Sequence, residues 1–415
     1  MAVVPNVIHS IARMATSTTG TGTITLGSAA TGFTTFANAG VADGDVVAYS
    51  IEDGDNRETG YGVYTSSGTT LTRNVAYSTN SGAAINLSGS AEVMLCPLPS
   101  DILESNDNLL MNGDGQFNQR EKTTGLADDE YFHCRHYALT QSNNITAAQL
   151  TDVADTYPFM HRLLQANASA QRFGAAQIIE GKNCRFLRGK KTTLSGVVRC
   201  SAATTIRWAI LEWTGTEDSV TSDVVLDWTD STFAAGNFFL SSNITVAGTG
   251  SAALSANTLT DFSLTAEISS SMNNVIIMIW TDSTQVQNVT LDWRWKYERG
   301  DIATSWQPRQ LEKMLCQRYY FRDSVYGFSL NFAIYAANGW ATVVYPYPVE
   351  MRATPSANED FTGVVTSGTF ATSPAFNAGS NVAGKITAQW TGAGINQTIN
   401  FLSATNAYLE ADAEL

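Results

Sequence analysis

The chain has 415 residues, more than one hydrophobic core usually serves, so we expect two to four domains. Only 15% of the residues are charged, whereas 44% are hydrophobic and 32 are glycine, a composition typical of an all-β chain with many turns. The net charge of −14 argues against nucleic acid as a partner, because no basic stripe is available to displace the counterions of a phosphate backbone.

The cysteines and the apolar runs indicate in which cellular compartment the chain folds. The five cysteines are scattered and odd in number, without a CxxC pair, which favours folding in a reducing cytoplasm over a disulfide framework. The N-terminal stretch lacks the long apolar core of a signal peptide. The longest apolar run, residues 275–280, predicts a buried strand and is too short for a membrane span. We therefore expect cytoplasmic synthesis and no membrane insertion.

Residues 1–98 are predicted to form a small β domain. Short stretches of alternating polarity are separated by Asp-Gly turn signals, as in hairpins. The predicted strands are Thr16–Leu26, Val46–Glu52, Glu58–Tyr64 and Thr70–Ala76, with two further strands at Ala84–Leu87 and Glu92–Leu95. The acidic turn Glu52–Asn56 is too short for a calcium loop and is interpreted as an ordinary turn. A polar segment, residues 99–107, is predicted to be a linker.

Residues 108–309 are predicted to form a β-sandwich, because strand patterns recur between clusters of Gly, Ser, Thr and Asn. The predicted strands are Thr192–Cys200, Thr205–Trp213, Phe238–Val246, Leu259–Ile268, Val275–Asp282 and a last one from Leu291 to Tyr297. Four tryptophans inside apolar stretches are predicted to be core residues, namely Trp208, Trp280, Trp293 and Trp295. Trp213 and Trp228 lie beside polar loops, where both a core role and stacking against a sugar remain open.

A short connecting helix is predicted over residues 310–320. Apolar residues recur there at helical spacing, in the order Leu311, Met314, Leu315 and Tyr319. Pro308 precedes them, at a place where the first helical turn tolerates a missing N–H.

Residues 321–415 are predicted to be a C-terminal β-sandwich domain. Its predicted strands are Tyr326–Tyr335, Trp340–Tyr347, Phe361–Val365, Ile386–Trp390 and Thr398–Leu402. Its candidate ligand-binding residues are the aromatic side chains of Trp340, Tyr345, Tyr347 and Trp390. Tyr345 and Tyr347 share one strand face, and burial between subunits would account for them as well as ligand contact does.

Residues 291–355 contain a distinctive series of motifs, namely Glu298, Gly300, Trp306, Pro308, Arg309, the run Leu315-Cys-Gln-Arg-Tyr-Tyr320 and the segment Val349-Glu-Met-Arg-Ala-Thr-Pro355. This series resembles that of tail-fibre and related virion proteins of bacteriophages and phage-like particles, and it is the strongest similarity in the chain. The ending Ala411-Asp-Ala-Glu-Leu415 also recurs in these proteins. Residues 1–98 carry motifs similar to an N-terminal connector domain of the same proteins. These motifs are the Thr-Gly-Thr-Gly segment ending at Leu26, Gly32-Phe33, Phe36, Tyr49, Glu58, Gly60, Gly62, Leu71-Thr-Arg73 and Asn86-Leu-Ser88.

The centre of the chain opens with the motif Asn108-Leu-Leu-Met-Asn-Gly-Asp114. This motif resembles the first strand of jelly-roll carbohydrate-binding modules. The segment from Tyr131 to His136 keeps the Tyr and Arg of a Tyr-x-x-Asp-Arg-Trp signature and lacks its Asp and Trp. This pattern is typical of a module that keeps the fold and has lost the sugar site.

The resemblance implies a structural virion protein on the particle surface, a tail-fibre or head-spike subunit that mediates host adsorption. Residues 1–98 would bind other virion structural proteins, and the distal β domains would bind a host cell-surface glycan. Fibres of this type are usually homotrimers, with helices such as Gln310–Tyr320 around the threefold axis. The alternative is a capsid decoration or tail-adaptor protein without a ligand.

The sequence contains no catalytic constellation that we recognise. There is no GxSxG elbow, no HExxH motif and no repeat of the kind that builds a depolymerising β-helix. His133-Cys134-x-His136 supplies metal-ligand residue types but no visible fourth partner. We therefore expect a protein that is not an enzyme and that uses no metal and no other cofactor.

Overall fold

The computed structural model describes residues 11–97, 108–153, 157–324, 329–334, 339–361, 365–366, 370–390, 394–400 and 408–414. These residues are almost entirely β, which confirms the predicted all-β class. The chain divides into two compact units. The first comprises residues 1–107 and 298–308, and the second comprises residues 108–297 and 309–415. The predicted linker, residues 99–107, lies outside the described residues.

The first unit is a small β domain. Its strands are β1 Arg13–Thr16, β2 Thr19–Gly20, β3 Ile24–Thr25, β4 Val46–Asp53, β5 Asn56–Thr65, β6 Thr70–Leu71, β7 Asn74–Ser78, β8 Leu87–Ser88 and β9 Ala91–Leu95. The main sheet has the order β1-β9-β4-β5-β6-β3, β7 also pairs with β5, and β2 pairs with β8. The single strand predicted over Thr16–Leu26 is wrong, because Gly20 turns the chain at a φ of 87° and leaves two short strands.

A buried ion pair explains several residues of the connector-like pattern. The Glu58 carboxylate is fully buried and accepts hydrogen bonds from Arg73 Nε at 2.8 Å, Tyr49 Oη at 2.8 Å and the Ile85 amide at 2.8 Å. Gly60 lies so close to the neighbouring strand that an added Cβ would be 2.2 Å from the Asn74 carbonyl oxygen. The recurring Tyr, Glu, Gly and Arg of this stretch therefore serve the fold of the first unit.

The first part of the second unit is a two-sheet sandwich. Its strands are β10 Tyr131–Phe132, β11 His136–Thr140, β12 Thr146–Val153, β13 Tyr157–Leu164, β14 Phe173–Ile179, β15 Lys191–Cys200, β16 Thr204–Trp213, β17 Ile244–Leu254, β18 Thr260–Glu267, β19 Asn274–Thr281 and β20 Thr290–Arg299. Helix α1, Gly181–Cys184, and a 3₁₀ turn, Arg185–Leu187, precede β15. The sheets have the orders β10-β11-β14-β19-β16-β17 and β12-β13-β20-β15-β18.

The four tryptophans predicted to lie in the core, Trp208, Trp280, Trp293 and Trp295, are all buried. Trp293 and Trp295 are fully buried between the two sheets, and Trp208 packs there against Phe262 at a ring distance of 4.6 Å. Trp280 is also fully buried, but on the opposite, outer face of the six-stranded sheet. The predicted core is therefore confirmed, with one tryptophan on a second apolar surface of the sandwich.

That outer face is covered by residues 214–243, the cover segment, which joins β16 to β17. Phe238 stacks on the Trp280 indole at a centroid distance of 5.2 Å with an interplanar angle of 19°. Val224, Val225 and Phe239 complete the buried layer. The strand predicted over Phe238–Val246 is therefore wrong in its first half, because these apolar residues pack flat on the sheet instead of joining it.

The second part of this unit contains short sheets. Its strands are β21 Tyr320–Ser324, β22 Ser329–Ile334, β23 Trp340–Pro346, β24 Ser356–Asp360, β25 Val365–Thr366, β26 Phe370–Ala378, β27 Ala383–Trp390, β28 Gly394–Asn400 and β29 Tyr408–Asp412. They form the three-stranded sheets β21-β29-β24, β22-β28-β25 and β23-β27-β26. A core around Phe321, Met351, Phe376, Ile386 and Leu409 holds this part together.

The connecting helix, α2, is shorter than predicted and spans Glu312–Gln317. Leu311 precedes it with a φ of 67°, so the helix does not begin at Pro308. The predicted apolar stripe is wrong in its first half, because Leu311 is 69% and Met314 is 44% exposed, whereas Leu315 is half-buried and Tyr319 is buried as predicted. Instead Glu312, Cys316 and Gln317 face inward, because polar partners from the sandwich meet the helix there.

Candidate functional site

The Cys-Gln-Arg-Tyr-Tyr run joins the sandwich to the C-terminal sheets through specific contacts. Tyr319 Oη donates to Glu180 at 2.6 Å, and Arg318 forms an ion pair with the same carboxylate at 3.1 Å. Burial alone would raise the pKa of Glu180, but the hydrogen bonds from Tyr319 and Arg318 and the Arg318 charge hold it below its usual value. Tyr320 Oη donates to Glu410 of β29. The run is therefore a structural junction.

Two arginines complete this junction, of which Arg135 is buried and Arg120 is half-buried. The Arg120 guanidinium lies 4.0 Å from the ring centroid of Tyr320 and forms ion pairs with Asp412 at 2.8 Å and Glu414 at 3.2 Å. The Arg135 guanidinium lies over the Tyr319 ring and also forms an ion pair with Glu414. The Arg of the eroded carbohydrate-module signature is thus used to hold residues 412–414.

The C-terminal sheet β23-β27-β26 presents one open face, which we call the outer sheet face. On β23 it carries alternating exposed residues, of which Trp340 is 59% and Val344 is 60% exposed. Directly opposed pairs across β23 and β27 are Trp340 with Gln389, Thr342 with Thr387 and Val344 with Lys385. The outer sheet face comprises Trp340, Thr342, Val344, Ala375, Asn377, Lys385, Thr387 and Gln389.

The chemistry of the outer sheet face is that of a shallow polar platform with one aromatic ring. Asn377 Nδ2 donates to Thr387 Oγ1 at 3.1 Å, which orders the middle of the face. Side chains at directly opposed positions lie about 5 Å apart, so the indole, amide, hydroxyl and ammonium groups form a continuous row. Such a surface can stack a flat apolar ligand face and hydrogen-bond its hydroxyl groups.

Tyr345 and Tyr347 point to the same side, as predicted, but β23 ends between them at Pro346 and the side is the inner one. The Tyr347 ring packs edge-on against Phe321 at 5.8 Å, and its side chain is buried. Tyr345 is half-buried and donates a hydrogen bond to Asp323; burial and this carboxylate raise its pKa. The structure therefore separates these two tyrosines from Trp340, and their role in binding stays a prediction.

The remaining predicted site residues lie elsewhere. Trp390 ends β27, opposite Phe370 of β26, and its side chain lies outside the described residues. Trp213 is buried at the end of β16, and its Nε1 donates to the Thr216 carbonyl at 2.8 Å. Trp228 is half-buried in the cover segment, edge-on to Phe238 at 5.7 Å. Whether these three bind ligand stays a prediction.

The strand alternation at residues 340–346 could have separated Trp340 from Tyr345 and Tyr347. By contrast, Asn377, Lys385, Thr387 and Gln389 were not singled out from the sequence. They join Trp340 only through the pairing of β26, β27 and β23, and single-sequence patterns do not specify which strands pair.

Three acidic side chains could hold a metal ion. Among the described residues, carboxylate oxygens of Asp128, Asp129 and Asp223 lie within 4.8 Å of one another. Burial and then the charges of Asp128 and Asp223 raise the pKa of Asp129 to about 7. The arrangement has the ligand type that calcium prefers, but it offers few ligands compared with the six to eight that calcium takes.

The predicted His133 and His136 pair lies in the sandwich core, together with His161. His133 Nδ1 and His161 Nδ1 are 3.0 Å apart, and His161 Nε2 is 2.7 Å from the Asn112 carbonyl oxygen. His136 Nε2 accepts a hydrogen bond from Trp295 Nε1 at 3.1 Å. Burial lowers the pKa of His133 to about 4 and that of His136 to about 3, so the cluster is neutral at pH 7.

Comparisons with known proteins do not assign the chain to a family. No family model and no curated protein matches the chain. A domain of tailspike protein 4 from bacteriophage CBA120 is 14% identical over 50% of this chain and 23% of its own, with a TM-score of 0.30. The chain therefore spans about a quarter of that structure.

Two carbohydrate-binding modules are among the other similar structures. TmCBM61, solved with β-1,4-galactotriose, is 6% identical over 47% of this chain and 99% of its own (TM-score 0.28). The C-terminal family 22 module of Clostridium thermocellum Xyn10B is 11% identical over 43% of this chain and 98% of its own (TM-score 0.26). Within the described residues, no helix is long and apolar enough to cross a membrane.

Proposed function

We propose that this protein is a non-catalytic, glycan-binding fibre or spike subunit of a phage or phage-like particle. The observation that carries glycan binding is the outer sheet face, where Trp340 stands 59% exposed in a row of amide and hydroxyl groups. Exposed aromatic rings beside hydrogen-bonding groups are the usual means of holding a sugar ring. The resemblance of residues 291–355 to phage fibre proteins supports the virion part of the proposal.

The junction supports a role that requires a fixed binding surface. Glu180, Arg120 and Arg135 of the sandwich hold the Tyr319-Tyr320 pair and residues 412–414. The Tyr319–Glu180 and Arg135–Glu414 contacts are buried, so they resist screening by salt, whereas the Arg120–Asp412 pair is partly exposed. A glycan bound on the C-terminal sheets would therefore transmit force directly to the sandwich.

We further propose that the subunit is a homotrimer, attached to other virion structural proteins through residues 1–98 and exposed on the particle surface. The start of helix α2 supports the oligomer, because Leu311, just before the helix, and Met314, within it, expose apolar side chains. A second copy would remove these side chains from water. The helix is too short to hold a trimer alone, so β-domain contacts must contribute. Three copies would also raise the avidity of weak glycan sites.

The test is glycan binding by the full-length protein. We expect Trp340→Ala to abolish binding to glycans captured by the wild type, because the stacking surface is lost. Phe186→Ala is the matched control, since Phe186 is 51% exposed on a different part of the molecule. A wild type that binds no glycan of a broad bacterial-surface panel would favour the alternative, a decoration or adaptor protein without a ligand.

A further inference from the structure

We infer that the outer sheet face takes an acidic saccharide, whose anionic group pairs with Lys385. This inference rests on the proposed glycan binding and specifies its ligand class. Lys385 is exposed, and it is the one charged side chain among the eight residues of the outer sheet face.

Lys385 is available to an anion from outside. Within the described parts of the chain, no carboxylate lies within ion-pair distance of its ammonium group. Glu350, which contacts the neighbouring β26–β27 turn, instead accepts a hydrogen bond from Asn381 Nδ2 at 2.7 Å.

The stem of Lys385 is positioned by the turn beside it. A Cβ added to Gly379 would lie 3.4 Å from Lys385 Cε and 3.6 Å from Lys385 Cγ, so the lysine stem runs over this glycine. A packed methylene stem with a solvated ammonium is the typical arrangement of a half-anchored lysine. Part of the entropy cost of fixing the side chain on binding is thereby already met.

The spacing along the sheet sets the size of the ligand. Lys385 is opposite Val344 and Gln389 is opposite Trp340, four residues further along β27. At about 3.3 Å per residue, the indole and the lysine are roughly 13 Å apart along the strands. The hydroxyl groups of Thr342 and Thr387 lie in the interval, and Asn377, opposite Lys385, donates to Thr387. This distance suits an oligosaccharide that stacks a neutral ring on Trp340 and places a carboxylate or phosphate at Lys385.

The experiment uses the full-length protein on a panel of neutral and acidic oligosaccharides, the latter carrying uronic acid, sialic acid or phosphate groups. We expect the bound glycans to be acidic, and Lys385→Gln to weaken them about tenfold, the effect of losing one charge-assisted hydrogen bond. Lys385→Arg should retain binding. Lys190→Gln, at an exposed lysine beside β15, is the charge-matched control and should have no effect.

A second arm uses the carboxyl-reduced or dephosphorylated form of each bound glycan, which should lose affinity for the wild type and show no further loss with Lys385→Gln. If the bound glycans are neutral, and their binding needs Trp340 but is unaffected by Lys385→Gln, the proposal of an acidic ligand is wrong while the proposal of glycan binding stands. Absence of binding to every glycan in the panel would overturn both.

Discussion

The guanidinium of Arg135 lies 3.9 Å from the ring centroid of Tyr319 and forms an ion pair with Glu414. The arginine and the carboxylate are 279 positions apart in the sequence and both are buried. Without Arg135, the Glu414 carboxylate keeps Arg120 as a partner at 3.2 Å but loses one of its two ion pairs, and the Tyr319 ring loses its cationic neighbour. Complete loss of a buried partner usually costs about 3–5 kcal/mol. We therefore expect Arg135→Met to lower the free energy of unfolding of the second unit by up to that amount in urea denaturation. Arg185→Met, which removes an exposed ion pair with Glu217, should have a much smaller effect on stability. Equal losses would contradict a special role for the junction.

The three buried histidines, His133, His136 and His161, predict that the folded protein loses stability in acid. In the folded protein the pKa values of His133 and His136 are about 4 and about 3, and burial holds that of His161 well below 6.5. The unfolded chain takes up these protons from about pH 6.5 downward, so stability present above pH 6.5 falls as the pH drops towards 4. We expect a loss of about 2 kcal/mol per histidine at pH 5, measured by urea denaturation between pH 7.5 and 5.

A variant isolates this effect from other titrating groups. His133→Gln keeps a donor for His161 and removes one titrating group, so it should flatten the dependence of stability on pH between 6.5 and 5. An unchanged pH slope would show that His133 titrates normally in the folded protein.

The three aspartates predict the opposite dependence on pH. Because the pKa of Asp129 is raised to about 7, the folded state binds a proton that the unfolded state releases near pH 4, and stability falls as pH rises through this window. Asp129→Asn removes the repulsion, and asparagine tolerates the φ of 63° at this position. We expect a gain of about 1 kcal/mol at pH 8, after allowance for solvent screening, and none near pH 4. Asp55→Asn, in an exposed turn, is the control, and a gain independent of pH would contradict the mechanism.

The cover segment is expected to be part of the folded core. Phe238 is fully buried against Trp280, so Phe238→Ala should cost about 3–5 kcal/mol and change the near-ultraviolet signal of the tryptophans. Leu226→Ala, in the same segment but 51% exposed, should change stability by no more than about 0.5 kcal/mol. If Phe238→Ala is as mild as the control, the cover is only loosely held on the sheet.

Helix α2 predicts the state of assembly. The wild type should have a mass in solution of about three times 44.6 kDa by light scattering. Leu311→Asn removes an exposed apolar side chain and introduces a residue suited to the φ of 67°, so it should dissociate the trimer without unfolding the subunit. Thr342→Asn, at an exposed position away from the helix, should leave the mass unchanged. A monomeric wild type in solution would contradict the proposal that the protein forms a homotrimer by itself.

Sequence patterns predicted the elements where local signals agree with the tertiary contacts. The all-β class and the four core tryptophans follow from alternation and from apolar surroundings. The pattern misled where tertiary contacts override it: Phe238 and Phe239 read as a strand and instead cover a sheet, and Leu311 reads as a helix face and instead lies outside the helix. The outer sheet face could not be predicted without knowing which strands pair, because Lys385 and Trp340 are 45 positions apart in the sequence.

The distance along the chain between Arg135 and Glu414 has a consequence for biosynthesis. During translation at about 5–20 residues per second, the sandwich residues leave the ribosome on the order of tens of seconds before their acidic partners do. Throughout that interval Arg120 and Arg135 lack the carboxylates that neutralise them in the finished fold. The ion pairs that fix residues 412–414 on the sandwich can therefore form only at the end of synthesis, after the sandwich itself has had time to fold.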